Sequence, residues 1–428
     1  MQESFLHFIW KNQYFDKRQL TTVTGQQVQI LHPGIINENA GPDFLQARVV
    51  LDQTEWRGAI EIHVKASLWY QHHHHQDTAY RQVILHVVWK QDRTVFRSDG
   101  KSIPTLELKQ RIDHNLLIRH QRLLTTSDTV PCHHQLSGHH QSLLEEMMGF
   151  ALGTRLEVKC QQVLDILAME GHHWDAVSYR LLGRNFGFCI NAEPFEELVK
   201  AVPLSVVHKV GHNMKQLEAL YFGQAGFLDV TITDRYFQSL KREYQYLLRL
   251  FPGLSQPLKK AQWKFLRLRP ANFPTLRIAQ FCGLIHAQGY RFWQFREVGR
   301  REDLYKLLEV STSDYWRHHY NFGKKWPKQG GYLGRSSKIN ILINTVMPLR
   351  MAHSHYQGER FKEQAMEFLK SLPIESNRIV RYWKERGFKV TSAYHSQAIL
   401  ALHQYYCTAK MCMHCKIGKS IIAGSARV

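Results

Sequence analysis

The spacing of apolar positions changes once along the chain. Before about residue 110 they gather in short β-type runs, and from about Leu143 they recur at three- and four-residue intervals. Phe5, Phe8, Ile9 and Trp10 follow helical spacing in an opening amphipathic segment, and Val28 to Leu31 is a short apolar strand. Pro33 to Pro42 is turn-rich. Ala47 to Leu51, Ala59 to Val64 and Val83 to Trp89 predict three strands, with Thr105 to Leu108 a candidate fourth. Ser67 to Arg81 is long enough for a short helix or a loop. The expected order is helix, strand, strand, strand, crossover, strand.

Leu143, Leu144, Met147, Met148 and Phe150 open the helical region, and Leu156, Cys160, Val163, Leu164 and Leu167 continue it. Thr125 to His140 is polar and carries a Pro and a Gly, the composition of a linker. The predicted class is α+β, with an α/β domain over 1–125, a linker over 126–140 and a larger helical domain over 141–428. Phe251-Pro252-Gly253, Arg269 to Pro274 and Lys328 to Gly331 punctuate that domain, and no repeat of fixed period is visible.

Composition adds a partner. The 428 residues carry a formal net charge of +20 with the histidines neutral, most of it after residue 140, which is a polyanion-binding balance. A hydrophobic fraction of 44% is enough to build cores, so disordered and fibrous classes are excluded. There is no run of about 20 apolar residues and no basic start followed by an apolar core, so a cytoplasmic protein with no membrane association is expected. Four single cysteines and three clustered near the end do not make a disulfide framework. Oligomeric state is not legible.

The sharpest local signal is Gly41-Pro42-Asp43-Phe44, followed by Gly58-Ala59-Ile60-Glu61-Ile62-His63-Val64-Lys65. On a strand, Glu61, His63 and Lys65 share one face. An acid at a strand entrance, a carboxylate on the neighbouring strand and a base beside it would hold Mg²⁺ or Mn²⁺, and the base would take a proton from water or neutralise phosphate charge. The same residues also fit an ordinary turn and a half-buried edge strand. No Walker phosphate loop, dinucleotide glycine fingerprint or nucleophile elbow is present.

From the opening helix to Val88 this arrangement resembles the PD-(D/E)XK phosphodiesterase superfamily. Pro42-Asp43 matches its first element and Glu61 the acid of its second. The pattern has Lys two residues after that acid, where this chain has His63. Either His63 substitutes, or Lys65 reaches in from the same face, or the register is His63-Val64-Lys65 with histidine replacing the acid. The resemblance implies a restriction-endonuclease-like N-terminal fold and a metal-dependent nuclease acting on DNA or RNA. It makes Asp43 and Glu61 metal ligands, with His63 and Lys65 sharing the basic role. The alternative is a non-catalytic nucleic-acid-binding protein on a degenerate nuclease scaffold.

Over nearly its whole length the chain resembles a bacterial family described as a domain of unknown function, number 2851. The resemblance rests on Glu3-Ser4-Phe5-Leu6-His7, Gly41 to Phe44, Glu61-Ile62-His63, Leu85 to Val88, Phe222 to Gly226, Leu268 to Pro274 and the terminal cysteines. Leu68 stands where the family tends to carry an acid before Trp69.

Other residues carry chemistry of their own. His72 to His75 with Asp77 make either a metal- or phosphate-facing loop or a solvated one. His86, within the apolar Val83 to Val88 run, is either a core histidine or a neighbour of Glu61. Cys407, Cys412 and Cys415, after His403, form C-x₄-C-x₂-C; these four could hold zinc, and three thiolates with a distant fourth could hold an iron–sulfur cluster. Basic and aromatic residues interleave at Lys241 to Tyr244, Trp263 to Arg269 and Tyr315 to Tyr320. They would grip phosphates and stack on bases, or be amphipathic helices with core aromatics.

Overall fold

The computed structural model describes residues 2–37, 39–136, 140–230, 232–289, 291–359 and 361–424. It is a mixed α+β protein that divides into two compact units, Met1–Met148 with Leu402–Val428, and Gly149–Ala401.

The first unit is built on a curled sheet. Helix α1 (Glu3–Asn12) buries Phe5, Leu6, Phe8, Ile9 and Trp10, the stripe its sequence periodicity predicts, and ends where Gln13 turns left-handed at φ 55°. Strands β1 (Val28–His32), β2 (Ile35–Ile36), β3 (Phe44–Leu51), β4 (Thr54–Lys65), β5 (Val83–Lys90) and β6 (Thr105–Glu107) follow. The spatial order is β1-β3-β4-β5-β6, with β2 also on β3. The β1, β3 and β4 pairings are antiparallel, whereas β4, β5 and β6 run parallel. Parallel neighbours need a crossover. Between β4 and β5 it contains helix α2 (Leu68–Gln71), the four-histidine run and a 3₁₀ turn (Thr78–Gln82). The burial of Val83 through Val88 explains their near-continuous apolar run, broken only by the buried His86, as expected of a strand covered on both faces. The turn-rich stretch also contains β2, too short to register as a pattern.

Gly58 marks where β4 and the start of β5 come closest. A Cβ there would lie 2.5 Å from both the Gln82 carbonyl oxygen and Ile84 Cγ2. Ala59, Ala66, Trp69, Tyr80, Val83, Val88, Val95 and Ile103 form a core beneath the crossover.

Helix α3 (His114–Thr125) is capped by the Asp113 side chain, which accepts from the main-chain N–H of Asn115. The segment expected to be a linker follows. Its residues 137–139 lie outside the described ones, while 126–136 belong to the first unit and are ordered by a Thr126–Asp128 hydrogen bond and a 3₁₀ turn at His133–Gln135. Helix α4 (Gln141–Met169) then leads into the second unit.

The domain boundaries differ from expectation at the far end too. Residues 402 onward return to the first unit rather than closing the helical domain. Arg119 fixes them, donating from Nε to the Ile422 carbonyl at 2.7 Å and from Nη2 to the Ala423 carbonyl at 3.1 Å. Lys410 Nζ donates to the carbonyls of Leu124 and Thr126.

The second unit is helical. The helix Pro274–Gln288 is buried along nearly its whole length and packs its Phe281 ring against Tyr179, Phe186 and Tyr221. A small hairpin, His319–Asn321 with Lys324–Lys325, interrupts the helices. Among the described residues no helix is long and apolar enough to cross a membrane.

Candidate functional site

Asp43 and Glu61 meet where β3 enters the sheet. Gly41, at φ +110°, and Asn37, whose side-chain amide donates to the Pro42 carbonyl at 3.0 Å, close the turn that delivers Asp43. The main-chain N–H of Asp43 donates to Glu61 Oε2 at 3.1 Å, and the N–H of Ile62 donates to Asp43 Oδ2 at 2.9 Å. Both carboxylates therefore face one side of the sheet. Helix α1 covers that side and places Glu3 and His7, one turn apart, against them; His7 Nε2 is 3.3 Å from Asp43 Oδ2.

Imidazoles complete the cluster. His63, two residues along β4 from Glu61, has Nε2 3.5 Å from Glu61 Oε1 and 3.2 Å from His72 Nδ1. His74 Nε2 approaches Glu61 Oε1 to 3.2 Å. One nitrogen each from His63, His72 and His74 lies within 4.8 Å of the other two, a spacing that suits one metal ion. The left-handed conformation of His73, at φ 61°, lets His72 and His74 turn the same way. The crossover holds His74 in place, its ring stacked on Tyr80 at 3.8 Å with Trp69 edge-on beside it. Asp77 takes no part, since its carboxylate accepts from the N–H of Ala79 and caps the 3₁₀ turn. His86 pairs in register with Glu61 across the parallel strands and engages His63 Nδ1 through Nε2 at 2.8 Å. That contact leaves His63 Nε2 for the site.

Burial sets the charges. It raises Glu61 to about 9, with the nearby Asp43 carboxylate adding to the rise. Burial, then the neighbouring imidazoles, lowers His63 to about 2, and burial lowers His86 to about 3. Both are neutral, the state in which imidazole binds metal. His7 differs, because the Asp43, Glu3 and Glu61 carboxylates outweigh its burial and raise its pKa. A donor set of three imidazoles beside the Glu61 carboxyl fits a divalent transition metal better than Mg²⁺, which selects oxygen ligands.

Of the residues singled out in the sequence, Asp43, Glu61 and His63 converge. Lys65 lies exposed at the end of β4, paired with Lys90, a strand repeat beyond His63. His72, His74 and His86, for each of which the sequence left a site reading beside a plainer one, join them, together with Glu3 and His7. The four-residue spacing of Glu3 and His7 and the alternation of His72 and His74 are signals a sequence carries, but their convergence on Glu61 depends on the crossover.

The basic and aromatic segments differ from the base-stacking expectation. Tyr244, Trp263 and Trp316 are core residues, and Tyr315 is sandwiched between Tyr236 and His319 at 4.0 and 3.9 Å. Their basic neighbours Arg242, Lys264, Arg267 and Arg269 are exposed. Cys407, Cys412 and Cys415 lie together in the first unit, while His403 Nδ1 is 3.2 Å from the Thr408 hydroxyl.

No curated protein and no solved structure matches the chain. Residues 3–378 match the family described as "Protein of unknown function (DUF2851)", a span that includes the whole Asp43–Glu61 site and stops before the terminal cysteines. The chain belongs to that family.

Proposed function

We propose that the first unit is a metal-dependent phosphodiesterase acting on DNA or RNA, built on a restriction-endonuclease-like core. The observation that carries this reading is the convergence of the Asp43 and Glu61 carboxylates with His63, His72 and His74 on one face of a mixed sheet, over its central strand β4. Glu61 and the three imidazoles would hold the cation, with Asp43 beside them; the donor set favours Mn²⁺ or Zn²⁺ over Mg²⁺. Such a cation lowers the pKa of a bound water and polarises phosphate.

The chain's own groups have distinct tasks. His86 fixes the tautomer of His63 and keeps its Nε2 turned toward the site. His7, whose proton affinity the Asp43 carboxylate raises, is placed to donate a proton to a departing oxygen or to offset phosphate charge. His72, exposed at the rim, marks the side open to a phosphodiester. The exposed cations of the helical unit supply sequence-independent grip on a polyanion.

One observation favours the non-catalytic alternative: His63 occupies the pattern's lysine position, and Lys65, the lysine that could reach in from the same face, stands exposed at the end of β4. The two readings separate on incubating the full-length protein with labelled single- and double-stranded DNA and RNA, with Mn²⁺, Zn²⁺, Mg²⁺ or chelator. The nuclease reading expects metal-dependent cleavage that is lost in the Asp43→Ala, Glu61→Ala double variant. Salt-sensitive binding without turnover supports the alternative, and cleavage that survives both substitutions overturns the site.

A further inference from the structure

The terminal cysteines gain a fourth partner from 275 residues earlier in the chain, Cys132. Cys407 ends the π-turn His403–Cys407, Cys412 opens the 3₁₀ turn Cys412–His414, and Cys415 caps the helix Lys416–Ala423. Cys132 lies between Val130 and the His133–Gln135 turn, in the stretch whose composition reads as linker. Its thiol is within electrostatic reach of Cys412 and Cys415, and the Cys407 thiol is within reach of the other three. All seven cysteines are free thiols, and Cys132, Cys412 and Cys415 are buried.

The loop around them is tightly constructed. Lys410 adopts φ 51°, so that its N–H reaches back to the Cys407 carbonyl at 3.1 Å, and the N–H of Cys415 reaches the Cys412 carbonyl at 3.2 Å. The Cys415 sulfur accepts from the N–H groups of Ile417 and Gly418 at the start of the final helix. A Cβ at Gly418 would sit 2.2 Å from the Cys412 carbonyl oxygen, so only glycine lets that helix approach the loop so closely. Lys410 also ties the loop to the segment bearing Cys132, through the carbonyls of Leu124 and Thr126.

The spacing decides what such a site would hold. Four thiolates around one zinc, at a Zn–S distance of about 2.3 Å, stand about 3.8 Å apart. Among the described residues, the sets of three donor atoms mutually within 4.8 Å are His63/His72/His74 and Asp128/His133/His134, so no three of the four sulfurs close to that distance. C-x₄-C-x₂-C with a remote fourth cysteine is also a spacing used by iron–sulfur proteins. Lys419 adds cationic charge beside Cys415, with Lys11 and Lys416 next to it, which suits an anionic centre.

We infer that Cys132, Cys407, Cys412 and Cys415 ligate an iron–sulfur cluster that fastens the returning C-terminal segment to the first unit. This site is separate from the carboxylate–histidine cluster and does not depend on the function proposed for it. Cys132, rather than His403, is the fourth ligand.

The test is metal and sulfide analysis of the full-length protein, expressed with iron supplied and purified without oxygen. The expected result is iron and acid-labile sulfide in equal amounts, about two or four of each per chain. Cys132→Ser should lose both, and His403→Ala and His134→Ala should keep them. Zinc without sulfide, no metal at all, or a cluster undiminished in Cys132→Ser overturns the inference. Should Cys132→Ser fail to fold, iodoacetamide labelling of the native chain serves instead. Cys132, Cys407, Cys412 and Cys415 should resist alkylation until a chelator strips the iron, and then react together, whereas the exposed Cys189 should react throughout. Independent reaction of the four, unchanged by the chelator, also overturns it.

Discussion

Asp43 and Glu61 hold one another in place across β3 and β4. The N–H of Asp43 donates to the Glu61 carboxylate at 3.1 Å, while the Asp43 carboxylate accepts from the N–H of the residue after Glu61 at 2.9 Å. This reciprocal pairing sets the two acids side by side, and the chemistry proposed for the site depends on it. If that proposal is right, Asp43→Asn and Glu61→Gln, which keep shape and remove charge, should each lower the cleavage rate by about 10²-fold or more. Rates within a few-fold of the parent in both variants would sink the assignment.

His63 and Lys65 should separate cleanly. His63 touches Glu61 and His72, whereas Lys65 is exposed at the strand end. Lys65→Ala is expected to keep cleavage within about threefold, and His63→Ala to lose about 10²- to 10⁴-fold, the range for a positioned base or ligand. The reverse ranking would show that the lysine reaches in after all.

Metal affinity should follow the imidazole trio. Titrating chelator-treated protein by calorimetry with Mn²⁺, which thiolates bind poorly, should give a binding event at the His63, His72 and His74 site, weakened about 10- to 100-fold by His74→Ala or His72→Ala. His73→Asn, which removes the imidazole and still accepts the left-handed conformation at φ 61°, should leave it unchanged.

The buried charges predict how stability varies with pH in the metal-free protein. Glu61 is raised from 4.5 to about 9, so between about pH 6.5 and 9 the folded chain keeps a proton that the unfolded chain has released. Stability then falls as pH rises, by about 1.4 kcal/mol per pH unit for one proton, and His7, also raised, acts in the same sense just above its ordinary 6.5. Below about 6.5 the sign reverses. The unfolded chain protonates His63 and His86 while the folded chain keeps them neutral down to about 2 and 3, and the two together outweigh Glu61. Lys159, lowered by burial to about 7, acts in the opposite sense above about pH 7 in parent and variant alike, so the Glu61 contribution is read as a difference. Denaturant midpoints in chelator should show the parent losing stability relative to Glu61→Gln as pH rises from about 6.5 to 9. Midpoints that change alike in parent and variant over that range would count against a protonated Glu61.

Gly58→Ala probes the fold rather than the chemistry. Its added methyl would meet the Gln82 carbonyl and Ile84 at 2.5 Å, so a loss of about 1–3 kcal/mol in unfolding free energy is expected. An unchanged midpoint would mean that β4 and β5 can move apart there.

Much of the first unit is legible in the chain. Helix α1, strands β1 and β3 to β6 and the position of the crossover follow from periodicity, because each buries a continuous stripe or run that local sequence must supply. Asp43 and Glu61 could be paired through the superfamily pattern they match, although Asp43 lies in the turn just before β3 and has no strand parity of its own. The elements that escaped are short or irregular: β2 is two residues, α2 is four, and the His319–Lys325 hairpin lies among helices. The interleaved aromatics of the second unit could not be divided into core and surface, since basic and aromatic residues alternate in the same way whichever face is buried.

The sequence by itself determined the α+β class, the two acids, the basic surplus and the cysteine triad, because composition and short-range period need no knowledge of what lies across the fold. Tertiary structure alone decided which groups share a site. It selected His63 over Lys65, drew in His7 from the first helix and His72 and His74 from the crossover, and brought Cys132 to the returning C-terminal segment. Those choices depend on chain closure across up to hundreds of residues, where contacts are set by which buried surfaces fit together and not by any spacing along the chain.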